Sequence, residues 1–129
     1  MYSMSKQNIN IWGRDFQLDV VFDCYADEDI LDSQKVAFEK LISAHEVIEN
    51  AKVDLERYCL ARNGDEIGTA TIENIFKFVI PKSFYIQRTT DTSRIVGLMC
   101  AYKFDIENGI AVIFKNEKMD KIGTQNIIL

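Results

Sequence analysis

MCAYKFDIENGIAVIFKNE, residues 99–117, is the stretch that decides the fold. Two apolar runs flank Asp105-Ile106-Glu107-Asn108-Gly109. Gly109 can take a positive φ, and Asp and Asn side chains bond nearby backbone amides, so the middle reads as a five-residue hairpin loop. With Phe104 placed opposite Ile110, one bulky face collects Cys100, Tyr102, Phe104, Ile110, Val112 and Phe114. Ala101, Lys103, Ala111 and Ile113 share a lighter face. Helices are expected on the bulky face. The lighter face is left to water, a helix, the tail or another subunit, so self-association stays open.

Working outward, SFYIQR (83–88) adds a third strand across the polar turn at 89–93, giving an antiparallel meander. The tail KIGTQNIIL either adds a short strand or packs against an edge. Near the N-terminus, NINIWGRDFQLDVVFDCY (8–25) reads as a hairpin turning at Gly13-Arg14. Phe16, Leu18, Val20, Phe22 and Cys24 point one way, while Asp15, Gln17, Asp19, Val21 and Asp23 point the other.

Between these strand regions the period changes. Residues 32–62 show helical spacing, with Asp32 or Ser33 as cap and a break expected at Ser43-Ala44-His45. Val36, Ala37, Leu41 and Ile42 form the first apolar stripe; Val47, Ile48, Ala51, Leu55, Tyr58, Cys59 and Arg62 follow the second. Asn63-Gly64 supplies a left-handed stop. TIENIFKFVIP (71–81) is expected as a third helix, ended by Pro81. The fold class is α+β: an antiparallel sheet, made of an N-terminal hairpin and a C-terminal three-strand meander, with two to three helices mainly on one face. The 129 residues suit one domain, 1–129.

Composition removes several classes of function. No run approaches the roughly 20 apolar residues of a membrane helix. MYSMSKQNINIW has no apolar core of a signal peptide. Cys24, Cys59 and Cys100 are odd in number and form no Cys-x-x-Cys pair, which suits reduced, buried thiols in a cytoplasm. His45 is the only histidine, so no two-histidine metal site exists, and no phosphate loop or nucleophile elbow is present. No cofactor, no metal and no enzymatic activity are expected. Residues 76–104 are basic and hold Phe76, Phe78, Phe84, Tyr85 and Tyr102, but these aromatics mostly fall at core-facing positions and the chain is acidic, so nucleic acid is not the expected partner.

Charge is the positive signal. Net charge is −5, and residues 15–34 hold seven acids and no base; the remaining 13 acids face all 15 bases, leaving the rest of the chain at +2. Asp15, Asp19 and Asp23 stand four residues apart on one strand face, about 13 Å between neighbours, too far to share a metal ion. They form an acidic stripe continued by Asp27, Glu28 and Asp29, suited to a basic protein partner.

ENIFKFVIPKSFYI, LMCAYKFDIENGIAVIFKNEKMDKIGTQNIIL and the N-terminal FQLDVVFDCYADEDILDSQKVAFE together resemble a family of small uncharacterised bacterial proteins, a domain of unknown function. The family hairpin often carries a histidine where this chain has Asn108. Small bacterial families of this look occur as immunity proteins beside secreted toxins. The resemblance therefore implies a non-enzymatic cytoplasmic domain that binds a protein, in its most concrete form a toxin. The alternative is an enzyme or small-ligand module whose pocket the sequence does not display.

Overall fold

Strands β1 (Tyr2–Ile11) and β2 (Arg14–Asp23) form a regular hairpin with ten paired positions. The computed structural model describes residues 2–25, 27–89 and 92–129; of the polar turn expected at 89–93, Thr90 and Asp91 lie outside them. The hairpin turns at Trp12-Gly13, one residue earlier than expected, and both residues have positive φ (52° and 85°). An aromatic residue is costly there. Trp12 is held by two bonds to the helix layer: its backbone N–H donates to Glu49 Oε2 at 2.8 Å and its indole Nε1–H to the Ile48 carbonyl at 2.9 Å.

Helices α1 (Asp32–Ser43) and α2 (His45–Ile67) meet at Ala44, at the expected break. The first helix buries Ala37, Phe38 and Leu41, whereas Val36 is exposed, so Phe38 takes the place given to Val36. The second buries Ile48, Ala51, Leu55 and Cys59. Asn63 bends the helix (φ −133°) without ending it; the left-handed stop comes at Gly68 (φ 78°).

The third helix is corrected. Only Ile75–Lys77 make a single 3₁₀ turn, with the Asn74 side chain accepting from Phe76 N–H. Strand β3 (Val79–Ile86) starts two residues before Pro81. Its pairing with β2 begins at Asp19–Ser83, so Pro81 lies outside that ladder, where its missing N–H is tolerated. Strands β4 (Ile95–Tyr102), β5 (Ile110–Lys115) and β6 (Lys118–Gly123) complete one six-stranded sheet in the order β1-β2-β3-β4-β5-β6. The tail both adds β6 and packs beyond it: a 3₁₀ turn (Gln125–Ile127) leads to buried Ile128.

The sheet is mixed, not antiparallel throughout: β2 and β3 run parallel. The helices dictate this. Gln34, at the start of α1, donates to the carbonyls of Asp23 and Ile86, the last residues of β2 and β3. At the start of α2, His45 bonds the Asn10 carbonyl and Glu49 accepts from Trp12, so α1 has returned the chain to the hairpin end. Asn63 then sits beside Tyr102, which pairs with Val79, the first residue of β3. β3 therefore starts at the end where β2 starts.

The expected register between β4 and β5 is also corrected. Cys100 pairs with Ile110, Leu98 with Val112 and Val96 with Phe114. Phe104 falls in a seven-residue connection, 103–109, and stacks on Phe78 at 5.7 Å. The shift from the expected register is an even number of residues, so both faces keep their side chains. Leu98, Cys100, Ile110, Val112 and Phe114 join the helices in the main core. Tyr85, Met99, Ala111, Ile113 and Ile128 form a second small core on the opposite, outer face, covered by the tail.

Candidate functional site

The outer face divides into two halves. Over β3–β5 it is apolar and capped by the tail. Gly97 opens the socket for this cap: a Cβ there would lie 3.0 Å from Ile128 Cδ1. Over β1 and β2 it is polar, because Lys6, Asn8 and Asn10 pair with Asp19, Gln17 and Asp15 on one face. Among the described residues no helix lies on this half, since α1 and α2 pack on the inner core.

The structure brings Asp15, Asp19 and Asp23 onto this polar half at the expected spacing. Asp15 is exposed and accepts from Asn10 Nδ2 at 3.0 Å. Asp19 is half-buried, with Lys6 Nζ 3.6 Å from its carboxylate. Asp23 is half-buried, and its backbone carbonyl is held by Gln34. Asp27 and Glu28 lie off the strand, in the exposed loop before α1. Glu28 is tied down there: Arg88 donates to its carboxylate and also, at 3.2 Å, to the Asp29 carbonyl. Among the described residues no ion pair forms at Asp15, Asp23, Asp27 or Asp29.

The other chemistry-bearing residues have structural roles. Asp105 Oδ1 accepts the Asn108 N–H at 3.2 Å, Arg62 approaches its Oδ2 at 3.3 Å, and Gly109 (φ 57°) bonds back to its carbonyl. That is a turn shaped by its own Asp105 and braced by Arg62 of α2. Glu107 is exposed at its tip. His45 holds the Asn10 carbonyl at 2.8 Å through Nε2, and Nδ1 lies 3.9 Å from Glu49. All three cysteines are free and buried. Burial pushes the Cys59 thiol up to about 11, opposed by a hydrogen bond from Tyr102. Cys100 is raised further, by burial first and by Cys59 second. Burial and the neighbouring Cys59 also raise Tyr102. A protonated buried thiol is a poor nucleophile. Among the described residues no group of three His, Cys, Asp or Glu side chains could hold a metal ion.

Two polar devices escaped the sequence reading. Gln34 has no helical or strand signature as a clamp; only a polar residue on the apolar stripe of α1 could have betrayed it. Glu117, in the β5–β6 turn, has positive φ (60°) and is gripped by Arg94 through Nε at 2.7 Å and Nη2 at 2.9 Å. This bond holds the Glu117 carboxyl below, and Arg94 above, their ordinary values.

Fold and site define the chain as an α+β domain with a helix-covered mixed sheet and a polar, acidic outer half. The chain belongs to the family described as Domain of unknown function (DUF6985), whose model matches residues 2–129. No curated protein and no solved structure matches it. Among the described residues no helix is long and apolar enough to cross a membrane.

Proposed function

We propose that the protein is a cytoplasmic protein-binding domain whose outer β1–β2 face meets a partner with a basic surface. An immunity-type role, occupying a toxin, is the concrete form of this reading. One observation carries it: of the seven acids in the base-free segment 15–34, Asp15, Asp19 and Asp23 lie on the outer face of β2, a sheet half that bears no helix among the described residues, and Asp27, Glu28 and Asp29 follow in the adjoining loop. Complementary charge on such a face speeds encounter and suppresses wrong partners. Lys6 offsets Asp19 only in part, because an ion pair at so exposed a position is weak and exchanges readily, whereas Glu28 is held by the largely buried Arg88 and leaves the free charge to the strand acids.

The test is to isolate the partner by co-purification and measure its association rate at low and high salt. Replacing Asp19 and Asp23 together with Asn should slow association several-fold at low salt and flatten its salt dependence. Rates unchanged at both salt concentrations would remove this face as the docking surface.

A further inference from the structure

Between the two halves of the outer face lies an open hollow of about 460 Å³. Val21, Tyr85 and Met99 form its floor, Leu129 and Gln125 of the tail one wall, and Lys82 and Ser83 its rim. The hollow has a local cause. Pro81 pairs with Cys100 and Ser83 with Met99, so Lys82 is the extra residue of a β-bulge. A bulge re-aims side chains and bends the strand, and here it brings both Lys82 and Ser83 to the hollow. The tail supplies the opposite wall and is fixed there. Gln125 donates from its backbone to the Asn108 carbonyl at 3.0 Å and from Nε2 to the Cys100 carbonyl at 3.2 Å, and Ile128 is buried over Gly97. Leu129 stays 66% exposed beside it, an apolar surface facing solvent.

The surrounding charge gives this hollow a specificity. Val21 lies on its floor, and Asp19 and Asp23 stand two residues to either side on the same strand face, about 6.6 Å away along the strand. Asp19 is directly paired with Ser83 of the rim. An apolar well with carboxylates on both sides is the arrangement of an interface anchor: one buried side chain carries the affinity and the flanking charges set register. We infer that this hollow is the anchor point of the docking face, and that it takes an apolar or aromatic side chain of a partner protein segment with a Lys or Arg on each side. Lys82 occupies the rim on β3, so the fit is directional, with the partner's cations lying over β2. The inference rests on the reading of the β1–β2 face as a docking surface and adds the partner's recognition pattern to it.

Three synthetic peptides test it on the full chain by methyl and amide NMR titration: Ac-Arg-Gly-Trp-Gly-Arg-NH2, Ac-Glu-Gly-Trp-Gly-Glu-NH2 and Ac-Arg-Gly-Gly-Gly-Arg-NH2. The first should shift the methyl signals of Val21, Met99 and Leu129 together with the amides of Asp19 and Asp23. The second should bind at least threefold more weakly, as should the first peptide to the Asp19→Asn/Asp23→Asn protein, since each exposed charge pair is worth up to about fivefold. If the Trp-free peptide shifts Asp19 and Asp23 as strongly as the first, and the first leaves Val21 and Met99 unmoved, the anchor is overturned while the acidic docking face survives. If none of the peptides shifts either set, or the shifts fall on the helix layer, the anchor and the docking face are overturned together.

Discussion

Replacing Gln34 with Met removes one amide and unfastens three backbone groups. Gln34 is 2% exposed. Its Oε1 accepts the Leu31 N–H at 3.0 Å, and its Nε2 donates to the Asp23 carbonyl at 2.6 Å and the Ile86 carbonyl at 3.3 Å. Met conserves the volume and straight chain, so packing changes little. Leu31 and Asp23 lie at part-buried positions, where water can replace the lost bond at about 1 kcal/mol each. The bond to Ile86 is buried, and an unpaired carbonyl there costs about 1–3 kcal/mol. The sum is about 3–5 kcal/mol. With a urea m-value of about 2 kcal/mol/M, the unfolding midpoint should fall by about 1.5–2.5 M at unchanged slope. Gln34→Glu should be at least as harmful at neutral pH, because a carboxylate can accept from Leu31 but cannot donate to either carbonyl. A loss below about 1 kcal/mol for Gln34→Met would refute the idea that this amide joins the ends of the parallel pair to α1.

Three further outcomes follow from the same contacts. Phe114→Ala should cost about 3–5 kcal/mol by chemical denaturation, since the ring is 1% exposed in the main core. Glu107→Gln should stay within about 0.5 kcal/mol of the parent, and calcium or magnesium should leave the melting temperature of both unchanged, because Glu107 only tips a turn built by Asp105. Stability should fall on the alkaline side: the folded state holds the Cys59 proton up to about 11 against 9.0 for the free thiol, so its contribution is full below 9.0 and is lost as pH rises towards 11. Cys59→Ala should make that limb shallower in a pH series of thermal melts without abolishing it, because the more strongly raised Cys100 thiol and Tyr102 still contribute.

The sequence makes both core faces legible because alternation survives a register error. Setting Phe104 against Ile110 is wrong by an even number of residues, and Val112 and Phe114 still reach the core. The parallel pair was hidden for a different reason. Nothing local in β2 or β3 encodes direction; it follows from where α1 and α2 begin and end, contacts made by Gln34, Glu49 and Asn63 over long separations. Pro81 misled because a proline that ends a helix and a proline on an unpaired strand margin look alike in sequence. The acidic stripe was legible as a period-two pattern with a one-sided charge run. Its bonds to Lys6 and Asn10 depend on hairpin register, and the capture of Glu28 by Arg88 joins residues 60 positions apart. The hollow could not be read at all, since it needs a bulge at Lys82 and a tail folded back over Gly97.

Carboxyl footprinting of the protein with and without its co-purified partner tests the central claim most directly. Glycine ethyl ester coupling should label Asp15, Asp19 and Asp23 in the free protein and be suppressed at all three in the complex. Labelling of Glu39, Glu46 and Glu66, exposed on the helix layer, should be unchanged. Protection of the helix acids with the β2 acids still reactive would contradict the account and place the docking surface on the opposite side of the sheet.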